Sequence, residues 1–391
     1  MNNFFIVILD GNGVGELPDA ALYKDEGSNT LGNIAEVVGG LHLPNLQKMG
    51  LGNIIPIKGM PPVEKPSASY GKMKEVSKGK DSTTGHWEIA GLKVDKDFSY
   101  FPDGFPDGII NKFLDLTGCK GVLGNVAASG TEIIKLLGDE HIKTGYPIVY
   151  TSADSVFQIA AHEDVIPLDR LYEICEITRN QVLVEPLVVG RVIARPFVGK
   201  SNEYKRTVYR KDFSLDPFEP TVLDLLHENN IPTVAIGKIN DLFNYRGIKF
   251  QEKSKSNKEG FDKLIECSSK YQNSLIFCNL VDFDVYYGHR NDPLGFANAL
   301  GEFDSFIPSL LSPLDETDYL VITADHGNDP TMVSTDHSRE YVPLIFYNKK
   351  MTPLNLGIRA TFSDVGKTVA EFFDLKMNKL KGNSFLPKKQ V

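Results

Sequence analysis

Short, unbroken apolar runs, three of which end beside an acidic residue, constrain this chain most. Phe4–Leu9 reads FFIVIL and is followed at once by Asp10. Residues 274–281 read SLIFCNLV, with Asp282 and Asp284 just beyond. Tyr319–Thr323 reads YLVIT and leads into Asp325 and His326. Val342–Tyr347 (VPLIFY) is a fourth run. A strand that is apolar at every position is covered on both faces, which is the mark of a parallel sheet between helices. Helical spacing fills the gaps at residues 221–229, 296–311 and 362–373. The expectation is an α/β core with a mostly parallel sheet covered by helices.

The middle of the chain has a different rhythm. YFPDGFPDG at residues 100–108 reads as a linker. Strand-like runs follow at Ile148–Thr151, 156–160 and 188–194, with a helix expected over 168–182. PFEP at 217–220 then returns the chain to the first pattern. This predicts a core of residues 1–95 and 220–391, with a smaller α+β cap domain, 96–219, inserted into it. SKSNKE at 254–259 reads as a polar loop, and no internal repeat is visible.

A chain of 391 residues is too long for one ordinary core, and 41% hydrophobic with 24% charged residues is a globular composition. The net charge of −9 gives no general attraction to nucleic acid or anionic membrane. The four cysteines form no CxxC pair and fit reduced thiols in a cytoplasm. The longest apolar runs are too short to span a bilayer. The expected setting is cytoplasmic, with neither nucleic acid nor membrane as partner; the sequence leaves the oligomeric state open.

Asp10, Asp284, His289, Asp325, His326 and His337 form the constellation that carries chemistry. Three strands each deliver an aspartate at the carboxyl end, the edge where open α/β sheets bind ligands. A lone aspartate there is usually a turn or cap residue. The pair Asp325–His326 within ITADHGN, with two more histidines nearby, is harder to explain that way. Mixed Asp/His donors suit Mn²⁺ or Zn²⁺, and six are too many for one tetrahedral ion. They fit two adjacent ions that clamp an in-line displacement. Asp282 competes with Asp284, which lies closer to His289. GKDSTTGHWEIAG (residues 79–91) offers a hydroxyl nucleophile on a tight turn before a helix, with backbone N–H groups free for an oxyanion. Ser82 is the choice, with Thr83 and Thr84 as rivals. TSADSV (151–156), RVIAR (191–195), Arg206 and Lys238 read either as ordinary surface or as an anion-binding cap using bidentate arginines.

Several blocks together carry a family resemblance. They are GVGELPDA after Asp10, GKDSTTGHWEIAG, AASGTE, YTSADSVFQIAAHE, VGRVIARPFVG, NLVDFDVYYGHR and ITADHGNDP with TDHSREYVPL. Through them nearly the whole chain resembles the bacterial phosphopentomutases, of the alkaline phosphatase superfamily. The resemblance implies an alkaline-phosphatase-like core with an inserted cap, two Mn²⁺ ions (other divalent ions being possible), and pentose phosphates as substrates. It implies one metal on Asp284, His289 and His337, and another on Asp10, Asp325 and His326 with the nucleophile. It makes Ser82 the phosphorylated residue, where threonine is the family's usual form. It places Ser152, Asp154, Val156, Arg191, Ile193, Arg206 and Lys238 around the sugar phosphate. The reaction implied exchanges phosphate between positions 1 and 5 of ribose or deoxyribose through a phosphoenzyme and a 1,5-bisphosphate. A sugar bisphosphate such as glucose 1,6-bisphosphate would prime it, and the cap would exclude water. A cofactor-independent phosphoglycerate mutase, a phosphatase on the same core, or a non-catalytic protein with structural metals are the rival readings.

Overall fold

In the computed structural model, residues 2–96, 98–152, 155–201, 203–376 and 380–387 are described. The chain forms two units, Met1–Asp95 with Pro217–Val391, and Lys96–Asp216. The return falls three residues before the expected position because PFEP packs with the larger unit. The Pro217 carbonyl accepts from Arg246 at 2.8 Å, and the Phe218 ring meets Trp87 edge-on at 5.4 Å.

The larger unit is built on an eight-stranded sheet. Its order is Phe250–Glu252, Thr233–Ile236, Leu275–Leu280, Phe4–Leu9, Tyr319–Thr323, Val342–Tyr347, Ser69–Met73, Asn355–Arg359. Phe4–Leu9 runs parallel to both of its neighbours, and Val342–Tyr347 is antiparallel to both of its own. Every residue of Phe4–Leu9 and of Leu275–Leu280 is buried, as a strand covered on both faces requires. The three strands that precede Asp10, Asp284 and Asp325 are therefore adjacent and parallel, and their carboxyl ends share one edge.

Local signals explain the helices. Thr221 and Asp224 form a capping box at the start of Val222–Glu228. Pro293–Leu311 begins three residues before the expected 296, because Asp292 caps it by accepting from Gly295 N–H at 2.9 Å and Pro293 fills the first turn. The segment 254–259 is not merely a loop. Ser256 is the N-cap of Asn257–Lys270, accepting from Glu259 N–H at 3.2 Å. No described helix is long and apolar enough to cross a membrane.

The smaller unit has its own sheet, ordered Leu123–Ala127, Ile148–Thr151, Val156–His162, Arg191–Val198, with Lys205–Arg206 and Lys211–Ser214 both antiparallel to Arg191–Val198. The strand expected at 188–194 is thus displaced toward the C-terminus. The helix expected over 168–182 is α-helical at Leu168–Ile177 and widens to a π turn at Thr178–Val182. Residues 100–108 are not a free linker: Phe105 is buried, its ring 4.3 Å from Phe157, and Asp107 opens the helix Asp107–Thr117.

If Ser256 fixes the start of its helix, Ser256→Ala should destabilise the larger unit by about 1 kcal/mol, the usual effect of deleting an N-cap hydroxyl. Urea unfolding followed by circular dichroism would measure it.

Candidate metal and nucleophile centre

The carboxyl ends of the three adjacent strands bring the acidic residues together. Asp10 and Asp325 are fully buried and Asp284 nearly so. The donor atoms of Asp10, Asp325 and His326 lie within 4.8 Å of one another, and so do those of Asp284, His326 and His337. His289 joins the second group through its Nε2, 3.2 Å from Asp284 Oδ2, and its ring lies 4.8 Å from that of His337. The rings of His326 and His337 stack at 3.8 Å.

Backbone carbonyls aim two of the imidazoles. His289 Nδ1–H donates to Thr335 O at 2.6 Å, and His326 Nδ1–H to Gly327 O at 3.0 Å. Each leaves Nε2 free to face the carboxylates, an arrangement that fixes the tautomer of a metal-binding histidine. His326 Nε2 is 3.4 Å from Asp10 Oδ1 and 3.3 Å from Asp325 Oδ2. His337 Nε2 is buried without a hydrogen bond and sits 3.4 Å from Asp284 Oδ1. Buried imidazole nitrogens converging on anionic oxygens are a donor set that fits divalent ions.

Asp282 and Asp284 diverge, because the chain leaves the strand at Leu280 and coils through a helical turn at Phe283–Tyr287. Asp282 turns away to bind Asn257, accepting its N–H at 2.8 Å. Asp284 stays in the centre, where Asn328 Nδ2 donates to its Oδ1 at 2.7 Å.

Ser82 is the first residue of the helix Ser82–Ile89, with Asp81 as N-cap. Its Oγ is 3.1 Å from His326 Nε2 and accepts from Lys238 Nζ at 2.8 Å. Thr84 is turned away, its hydroxyl donating to Asp81 Oδ2 at 2.7 Å. The Thr83 and Thr84 N–H groups both go to Asp81 Oδ1. They are therefore not the free oxyanion donors expected from the sequence; the capping aspartate has already taken them. Gly85 lets this helix close on the centre: a Cβ there would lie 2.0 Å from the Asp325 carbonyl. Lys238 belongs to the larger unit, following Thr233–Ile236, and its ammonium also pairs with Asp10.

The charges are mutually dependent. Burial would lower the His326 and His289 pKa values, but the carboxylates around His326 and the Asp284 carboxylate beside His289 outweigh it, pushing His326 up to about 10 and His289 up to about 9. Burial would raise Asp325 and Asp284, yet His326 beside the first and His337 and His289 beside the second hold both below the usual carboxylate range. Burial also opposes the Lys238 charge, and Asp10, Asp325 and Asp284 reverse that, raising its pKa.

Comparison with known proteins agrees in kind. The Metalloenzyme superfamily matches residues 2–377. A phosphopentomutase of Dictyoglomus thermophilum is 58% identical over 389 residues, covering 99% of this chain and 98% of that protein. One from Acetivibrio thermocellus is 58% identical over 387 residues, 99% of each. This chain belongs to the phosphopentomutase family. A solved phosphoglycerate mutase of Leishmania mexicana, 11% identical over 97% of both chains with TM-score 0.50, shares the fold.

The other residues matched to phosphopentomutases lie in the smaller unit. Val156 pairs directly with Arg191, and Ile193 stands two residues along the same strand. Ser152 follows Ile148–Thr151. Asp154 lies outside the described residues. Arg206 pairs opposite Phe197, six residues from Arg191 and so about 20 Å along the strand at ~3.3 Å per residue. The sequence reading gave no role to His86 or Arg339, although both stand inside the quoted motifs. His86 is buried; its Nδ1–H donates to Ser82 O at 2.8 Å and faces Asp325 Oδ2 at 3.1 Å, while Nε2 accepts from Asn279. Arg339 is buried and joins Glu75, Asp19 and the Gly79 carbonyl, tying the nucleophile turn to the His337 segment. Helical i, i+4 spacing of Ser82 and His86 is a signal that was available for the first.

Two outcomes follow. Gly85→Ala should push the Ser82 helix off Asp325 and lower kcat by about 100-fold, the scale of a 1 Å misplacement; steady-state kinetics with a folded-state control would show it. The imidazole pKa values lie above the unfolded 6.5, so their stabilisation of metal-free protein is complete below about pH 6.5 and fades as the pH rises through 9 to 10. Melting temperatures in EDTA should fall over that window while divalent-ion affinity rises, with protons released on binding.

Proposed function

We propose that this chain interconverts α-D-ribose 1-phosphate and ribose 5-phosphate, and the deoxyribose pair, using Ser82 as the phosphoryl carrier. The observation that carries the reading is the placement of Ser82 Oγ between Lys238 Nζ and His326 Nε2 at the edge of the acidic cluster. In this proposal one divalent ion is held by Asp10, Asp325 and His326, and a second by Asp284, His289 and His337, with Mn²⁺ as the native metal. When bound, such ions neutralise phosphoryl charge and acidify a coordinated hydroxyl.

The chain's own groups account for the rest. Phosphoserine 82 gives its phosphoryl group to the free hydroxyl of a sugar monophosphate. The bond from phosphorus to Ser82 Oγ breaks as the bond to the sugar oxygen forms; the sugar hydroxyl gives up its proton and Ser82 Oγ gains one, yielding a 1,5-bisphosphate and free Ser82. The other phosphoryl group then returns to Ser82. The Lys238 ammonium, kept charged by the aspartates, donates to Ser82 Oγ and offsets charge there as the bond breaks. Asp81 holds the helix start and with it the backbone that carries Ser82. A sugar bisphosphate such as glucose 1,6-bisphosphate primes the serine. Ser152, Asp154, Val156, Arg191, Ile193 and Arg206 of the smaller unit are the proposed contacts for the sugar phosphate.

Purified protein with Mn²⁺ and primer should convert ribose 1-phosphate to ribose 5-phosphate, as followed by phosphorus NMR. Ser82→Ala should reduce turnover by at least about 1,000-fold, and Ser82→Thr should retain it. Release of inorganic phosphate at the turnover rate would show a phosphatase instead. Lys238→Met should cost about 100-fold in kcat, since a charge-assisted donor to the reacting oxygen is lost.

A further inference from the structure

Two neighbours on the Ser82 helix are fitted to Asp325. Gly85 lies against its carbonyl, and His86 faces its carboxylate. His86 is fully buried in mid-helix, four residues after Ser82. Its Nδ1 lies 2.8 Å from Ser82 O and 3.1 Å from Asp325 Oδ2. A carbonyl oxygen can only accept, so Nδ1 carries the proton. One N–H therefore faces the backbone of the proposed phosphoryl carrier and the carboxylate of a proposed metal ligand.

The rest of the ring is held as well. Nε2 accepts from Asn279 Nδ2 at 3.3 Å, and Asn279 is itself buried near the carboxyl end of Leu275–Leu280. The imidazole stacks on Phe277 of the same strand, with ring centroids 5.8 Å apart and planes at 27°. Both nitrogens are engaged and the ring plane is fixed, so the strand sets the direction of the Nδ1–H. Filling space alone would not call for this, because an apolar side chain would be buried here without desolvating two ring nitrogens. The oxygen that His86 faces is also the one 3.3 Å from His326 Nε2, while Asp325 Oδ1 accepts from Gly11 N–H at 3.3 Å.

We infer that His86 is a positioning residue for phosphoryl transfer: its Nδ1–H fixes the spacing between the Ser82 backbone and the Asp325 carboxylate, and Asn279 fixes the ring. The inference rests on the roles given to Ser82 and Asp325 under Proposed function. Asp81 anchors the start of the helix, and His86 anchors the carbonyl of the residue that carries Oγ. His86 acts through Ser82 and Asp325. An in-line transfer tolerates little drift between the reacting oxygen and the charges that offset it. Groups that hold a metal ligand from behind orient it, and losing one typically costs roughly 10- to 100-fold in affinity or activity.

Two amide variants separate this role from packing. The amide nitrogen of asparagine stands as many bonds from Cβ as histidine Nδ1 does, whereas that of glutamine corresponds to Nε2. His86→Asn should keep an N–H toward Ser82 and Asp325 and hold kcat within about fivefold of the parent, while His86→Gln, closer in volume, should lower kcat about 100-fold with little change in KM. Calorimetric titration of the full-length protein with Mn²⁺, without sugar, gives a readout that needs no turnover. His86→Gln should weaken the ion at Asp325 by about tenfold or more, and His86→Asn should retain it. Asn279→Leu, which leaves His86 in place, should lower kcat by roughly tenfold and reads the same tie if the His86 variants unfold. Equal losses in the two amide variants, or a smaller loss in His86→Gln, would show packing and overturn the inference. Parental kcat and Mn²⁺ affinity in His86→Gln or, where that variant unfolds, in Asn279→Leu would overturn it too. A parent protein that binds Mn²⁺ but shows no mutase turnover would overturn the proposed function instead, and the contrast between the amide variants in Mn²⁺ affinity would still support the tie from His86 to Asp325.

Discussion

Three buried aspartates cannot share one sheet edge unless positive charge lies among them. Asp10 and Asp325 stand just past the ends of adjacent parallel strands, and the helical turn after a third strand brings Asp284 beside them. Desolvating several carboxylates without compensation would cost more than a domain's net stability. His289 and His326, with Lys238, supply the compensation. The same demand makes the cluster a strong receptor for divalent cations, which bring more charge to the same oxygens. It also positions Ser82, whose hydroxyl shares His326 and Lys238 with the carboxylates.

This part of the molecule was legible in the sequence for a physical reason. A strand apolar at every position announces its burial, its end announces the sheet edge, and an aspartate at that end has few structural uses when histidines lie nearby. Periodicity also located the helices at 221–229 and 362–373 to within one or two residues. It was weaker where a polar residue does backbone work. Ser256 and Asp292 look like loop residues, yet each supplies the oxygen that starts a helix. The capping role of Asp81 was equally hidden, since the sequence did not show that it takes the Thr83 and Thr84 N–H groups. Asp282 and Asp284 could not be ordered from strand spacing, because the strand stops before either.

The residues that hold others in place were least visible. His86 joins the Ser82 carbonyl to Asp325, and Arg339 joins the nucleophile turn to the segment carrying His337. Their roles come from contacts between segments more than 200 residues apart in sequence.

The central claim is that the charge-compensated centre makes Ser82, and not its neighbours, the phosphoryl carrier. The most direct measurement is fragment mass spectrometry of the protein after incubation with Mn²⁺ and glucose 1,6-bisphosphate, with an EDTA control. The account predicts a single phosphate on Ser82, formed only with metal and discharged by ribose 5-phosphate. Phosphate on Thr83 or Thr84, or labelling that is indifferent to EDTA, would contradict it.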